Sequence, residues 1–131
     1  MNSRKHTLKI LPDRMAICRF DPMDLIPDWI DESDFYSITR TEDELSIVCT
    51  EAIVAPGITI ETGWRCFKVE GPLDFSEISI IFSLTEPLAK IGVSVFVLST
   101  FDTDYFMIKE KDLTKAIDVL RAEGHQVKTE D

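Results

Sequence analysis

Two apolar runs, residues 93–98 and 105–108, bracket a compact polar segment, Ser99-Thr100-Phe101-Asp102-Thr103-Asp104. This spacing predicts two buried strands joined by a turn made of carboxylates and hydroxyls. A second hairpin is written over residues 35–41 and 44–50, around Glu42-Asp43. There Leu45, Ile47 and Cys49 alternate with Glu44, Ser46, Val48 and Thr50, the period of a strand with one buried face.

The remaining elements follow from local signals. Residues 7–11 form a short strand ended by Pro12-Asp13, and residues 14–20 a second strand closed by Asp21-Pro22. Residues 22–34 hold two prolines and several acids, which leaves room for one or two helical turns. Residues 51–63 are rich in β-branched side chains but broken by Pro56-Gly57, so they form an irregular crossing segment, and residues 64–70 form a strand. A helix starts at Asp74 as N-cap, with Glu77 as its capping-box partner and Leu73 and Ile78 as the hydrophobic staple. Ile78, Ile81, Phe82 and Leu88 mark its buried stripe, Pro87 should kink or divide it, and Gly92 ends it. A second helix spans residues 112–123, with Leu113, Ala116, Ile117 and Leu120 on the core face and Gly124 after it. Residues 125–128 supply a last short strand.

Residues 64–128 therefore run β-α-β-β-α-β, the order of a ferredoxin-like α+β unit with an antiparallel sheet and both helices on one face. Residues 35–48 fall on residues 95–108 at a shift of 60, pairing Phe35 with Val95, Ile38 with Leu98 and Val48 with Ile108. Residues 17–21 fall on 66–70 at a shift of 49. This suggests two like units in tandem, residues 7–62 and 63–131, the first reduced because it lacks a full-length helix.

Charge limits the partners. With 24 acids against 14 bases the net charge is −10, which opposes binding to a nucleic-acid backbone or an anionic membrane. No apolar run approaches a transmembrane span, and the N-terminal apolar stretch is too short for a signal peptide, so a cytoplasmic location is expected. Cys18, Cys49 and Cys66 are odd in number and far apart, as buried free thiols in a reducing compartment would be. Trp29 and Trp64 are expected in the core, His6 in a mobile tail and His125 on the surface. No nucleophile–base pair and no glycine-rich phosphate loop is visible, so neither an enzyme nor a cofactor is expected.

The run Trp64-Arg65-Cys66-Phe67-Lys68-Val69-Glu70-Gly71-Pro72-Leu73-Asp74-Phe75, then residues 92–108, then Lys111-Asp112-Leu113 and Gly124-His125, resembles ACT-domain proteins of the CASTOR type. Small bacterial proteins and the animal arginine sensors belong to that group. The resemblance runs from about Leu8 onward, and Ser-Thr-Phe-Asp-Thr-Asp-Tyr after an apolar strand is its most specific part. It implies two ACT units, a regulatory role, and an amino acid bound between units. It places that ligand near Ser94, Val95, Thr100, Phe101, Thr103 and Asp104, and near Asp74, Glu77, Ile78, Ser79 and Ile80 at the first helix start. The animal sensors carry four units where this chain carries about two, which implies a homodimer. The residue at Asp74 also differs from the small one of the arginine sensor, which puts arginine itself in question.

The chemistry of these residue types fits a zwitterion. Asp102 and Asp104 offer charge-assisted hydrogen bonds to an ammonium or guanidinium group, Ser99, Thr100 and Thr103 offer neutral ones, and a helix N-terminus suits a carboxylate. The residues alone leave other readings open. Asp and Thr in a hairpin turn also serve only to cap the backbone, which would leave a ligand-free module for protein assembly. A divalent metal at residues 102–104 is a weaker option, because no third acidic ligand stands nearby.

Overall fold

The computed structural model describes residues 5–70 and 80–129, which divide into two compact units, Asp13–Trp64 and Arg65–Asp131 together with Met1–Pro12. The elements are β1 (Thr7–Phe20), β2 (Ser37–Arg40), β3 (Leu45–Thr50), β4 (Thr59–Val69), α1 (Ile80–Lys90), β5 (Phe96–Ser99), β6 (Asp104–Lys109), α2 (Leu113–Ala122) and β7 (Gln126–Thr129). Short 3-10 turns at Asp28–Glu32, Glu51–Ile53 and Glu110–Asp112 complete them.

β1 corrects the expectation of two strands broken at Pro12: it runs unbroken for 14 residues. Its pairing explains why. Residues 7–10 lie parallel to β7, with Leu8 opposite Val127, whereas residues 15–20 lie antiparallel to β3, with Cys18 opposite Ile47. Pro12 falls where one partner has ended and the next has not begun, so its missing N–H interrupts neither of these ladders.

In the unit of residues 13–64, β2, β3 and β1 are successive neighbours. Leu45, Ile47 and Cys49 of β3 are fully buried with Cys18 and Ile30, as the alternation predicts, and Phe20, Trp29, Ile38 and Ile60 pack around them. The acid-rich stretch before the hairpin makes one 3-10 turn and no α-helix.

In the other unit, β4 to β7 follow the β-α-β-β-α-β order, and β5 and β6 form the expected hairpin. Here β7 pairs with β1, and β1 is the neighbour of β4, with the Glu70 N–H donating to the Thr7 carbonyl at 2.9 Å. The N-terminal strand has thus been added to the ferredoxin-like set. The core joins Leu8 and Ile10 of β1, Phe67 and Val69 of β4, Phe106 and Ile108 of β6, and residues of both helices. Phe67 and Phe106 stack with ring centroids 4.8 Å apart.

Both helices bury one stripe, but the phase of α1 corrects the sequence reading. Ile80, Leu84 and Leu88 face the core at i, i+4 and i+8, whereas Phe82 is exposed. Of the expected stripe of Ile78, Ile81, Phe82 and Leu88, Leu88 is buried as expected, Ile81 is half-buried, Phe82 is exposed, and Ile78 lies outside the described residues. The helix passes through Pro87 undivided. Its end is a left-handed Gly92 (φ 79°), with the Val93 N–H donating to the Leu88 carbonyl at 3.0 Å, a closure that returns the chain toward β5. α2 buries Ala116 and Leu120 and ends in the same way at Gly124 (φ 94°), with the His125 N–H on the Leu120 carbonyl at 3.1 Å.

The two histidines correct the sequence reading as well. Both are buried, their rings stack at 6.0 Å, and the His6 N–H donates to His125 Nδ1 at 3.1 Å. The register places them together, because Thr7 faces Gln126 and the preceding residues of both strands are then adjacent.

Candidate functional site in the second hairpin

The β5–β6 turn is a four-residue loop, since Ser99 pairs with Asp104. The Thr100 N–H donates to the Thr103 carbonyl at 2.8 Å, and the Thr100 hydroxyl donates to the same carbonyl at 3.1 Å. That hydroxyl also accepts the Thr103 N–H at 3.3 Å. The β2–β3 turn repeats this arrangement in the other unit. The Thr41 N–H and hydroxyl donate to the Glu44 carbonyl at 2.8 and 3.4 Å, and the hydroxyl accepts the Glu44 N–H at 3.2 Å. Arg40 pairs with Leu45 there as Ser99 pairs with Asp104. The hairpins therefore superpose in register at a shift of 59, one less than side-chain similarity suggested, and Thr41-Glu42-Asp43-Glu44 answers to Thr100-Phe101-Asp102-Thr103.

This comparison separates residues that build the turn from residues that do not. A threonine caps the loop in both settings, Thr100 in one and Thr41 in the other. Thr103 is buried, and its hydroxyl donates to the Val69 carbonyl, tying the turn to β4. Ser99 and Asp104 are different: Ser99 Oγ donates to Asp104 Oδ1 at 2.6 Å, whereas the twin turn forms with Arg40 and a fully buried Leu45 in those places. Phe101 at the tip is 80% exposed, and Asp102 beside it is exposed too. Next to Asp104, the Tyr105 hydroxyl is held above its usual range by burial, with Cys66 and Asp102 adding to the effect.

The other expected site residues are placed as follows. Ser94 is exposed just before β5, while Val95 packs on the core. Ile80 is a core residue at the start of the described part of α1, so its side chain faces inward. Asp74, Glu77, Ile78 and Ser79 lie outside the described residues, as does the expected capping box. Among the described residues no group of three or more His, Cys, Asp or Glu is arranged to hold a metal ion. All three cysteines are buried free thiols. Cys18 and Cys49 hydrogen-bond to one another, a contact that with burial raises Cys49, and burial pushes Cys66 up to about 12. No described helix is long and apolar enough to cross a membrane.

Comparison with known proteins agrees with this geometry. The ACT-domain family model matches residues 59–122, and a model of an N-terminal domain matches residues 13–56. A crystal structure of a protein from Agrobacterium tumefaciens is 40% identical, with a TM-score of 0.93 over 98% of this chain and 96% of that one. The chain belongs to the ACT-domain family. Within that family it is similar to the rat cytosolic arginine sensor for mTORC1, subunit 1, at 38% identity over 64 residues, 47% of this chain. The chain spans only 19% of that sensor's length. The regulatory subunit of aspartate kinase from Thermus thermophilus shares the fold, with a TM-score of 0.58 at 11% identity over 86% of this chain and 93% of that one.

Proposed function

We propose that this protein is a non-enzymatic regulatory module that binds an amino acid or a related zwitterionic metabolite at the β5–β6 turn, between two copies of the chain in the cytoplasm. The observation that carries the reading is the Ser99–Asp104 pair. The same turn forms in the first unit without it, so folding of the loop does not account for a carboxylate held by a serine at a partly exposed position. A carboxylate fixed in this way is suited to an ammonium group, because its orientation is set before the ligand arrives. Phe101 offers apolar surface at the tip, and Ser94 a further hydroxyl on the same chain segment. Val95 and Ile80 contribute through the main chain, since their side chains point into the core. Asp74, Glu77, Ile78 and Ser79 are assigned to the ligand's carboxylate end by family resemblance alone.

The test is calorimetric titration of the protein with the common amino acids, followed by Asp104→Asn and Ser99→Ala against whichever binds. Loss of binding in Asp104→Asn, with unchanged circular dichroism, is the expected result. Full affinity in that variant removes Asp104 from the site. The competing reading is a ligand-free assembly module, favoured by the exposure of Phe101 at the turn tip. Under it no amino acid binds, and Phe101→Ser changes the sedimentation coefficient.

A further inference from the structure

We propose that the loop of residues 21–26 is a docking surface for a basic amphipathic segment of another protein, with Met23 and Leu25 as its anchors. The inference is independent of the amino-acid site, because it concerns the other unit and other residues. Met23 is 88% exposed, Leu25 89% and Ile26 44%, so three large apolar side chains within four residues face solvent. Single exposed apolar residues are ordinary, whereas a cluster at one turn marks a contact surface.

The backbone that presents them is held in place. The Asp24 N–H donates to the Asp21 carbonyl at 3.0 Å, and the Asp21 N–H donates to Asp24 Oδ2 at 3.1 Å. Arg40 reaches across from β2 and donates to the Pro22 carbonyl and, at 2.9 Å, to the Asp24 carbonyl. At the far side of the segment the Ser33 hydroxyl donates to the Phe35 carbonyl at 2.6 Å and accepts the Thr50 N–H at 2.9 Å. A backbone already ordered loses little further freedom on binding, which is what an anchor position requires.

Charge decides the occupant. Asp21 and Asp24 are exposed in the loop itself, and Asp28, Asp31, Glu32 and Asp34 are exposed in the segment that follows it. The nearby arginines are directed at main-chain carbonyls: Arg40 as above, and Arg19 at the Asp43 carbonyl at 3.0 Å. A second copy meeting this loop through its own would set the same exposed acids face to face, and nucleic acid would be repelled as well. An apolar segment flanked by lysines or arginines meets both the anchors and the acidic rim.

The experiment titrates the full chain with a synthetic peptide carrying leucines at helical spacing and lysines elsewhere. A peptide of the same pattern with glutamates serves as the counterpart. Methyl signals of Met23, Leu25 and Ile26 are followed by NMR. Saturable shifts of these methyls with the lysine peptide alone are expected, with affinity weakened about tenfold in Met23→Ser/Leu25→Ser and the circular dichroism unchanged. Equal binding of the glutamate peptide, shifts spread over the whole acidic surface, or undiminished affinity in the double variant would each overturn the proposal. So would a homodimer that dissociates in the double variant, since the occupant would then be a second copy.

Discussion

Replacing Thr103 by Val removes one hydroxyl and little volume, so the change in stability isolates the bond from the turn to β4. In the native chain the Thr103 hydroxyl donates to the Val69 carbonyl, and both residues are buried, Thr103 at 6% and Val69 at 0% exposure. Water cannot readily take the place of the lost donor there. An acceptor left without its partner in such a place costs about 1–3 kcal/mol. The extra methyl returns about 0.8 kcal/mol through burial. The net loss is about 0.2–2 kcal/mol, which for a chain of this size lowers the thermal midpoint by about 1–8 °C. Scanning calorimetry and urea unfolding of both proteins measure it, with an unchanged urea slope confirming that only the folded state was altered. A midpoint equal to or above that of the native chain would refute the reasoning, because it would mean that the hydroxyl does not hold the turn to β4.

Two further outcomes follow from the titratable groups. His125 is held below its ordinary value of 6.5, chiefly by burial, then by His6 and Lys5 against the opposing pull of Glu123. A base depressed in the folded state binds its proton more readily when unfolded. Its stabilising contribution is therefore complete above about pH 6.5 and falls as the solution is acidified toward the folded value. Urea unfolding of native protein and His125→Gln from pH 7.5 to 5 should show the native advantage shrinking with acid, and an advantage that grows with acid would contradict this. The cysteines should be inert to a thiol reagent such as Ellman's in the native state, since all are buried and Cys66 is raised to about 12, and should react fully in denaturant. Rapid native-state reaction of any one would contradict that burial.

Local signals were legible in the sequence where one element carries its own pattern. The β2–β3 and β5–β6 hairpins follow from alternation and turn residues, and α2 follows from its apolar spacing and Gly124. What escaped depends on contacts distant in sequence. Pro12 ends a strand by local rules, yet β1 changes partners around it and passes through. His6 and His125 are buried only because β7 pairs with β1, which no window of neighbouring residues contains. The phase of α1 was misjudged because Ile80, Ile81 and Phe82 are all apolar, and only the packing of Leu84 and Leu88 selects among them. At the site, the turn chemistry was readable but its division of labour was not. Thr100 and Thr103 are spoken for by the loop and by β4, and Asp104 stands out only once the twin hairpin supplies a comparison.

The place of β1 beside both β4 and β7 has a consequence for how the chain is made. Residues 7–10 leave the ribosome well over a hundred residues ahead of their partners at residues 126–129, by about the difference of their numbers. Leu8 and Ile10, both essentially fully buried in the finished protein, stay without one flank of their sheet until β7 has been made. Contacts of such separation are slow to close and leave apolar strand exposed while they wait. The unit of residues 13–64 draws on a continuous stretch and is free of that delay. Translation thus delivers the unit of residues 13–64 with its turn already set, while the other must wait for β7.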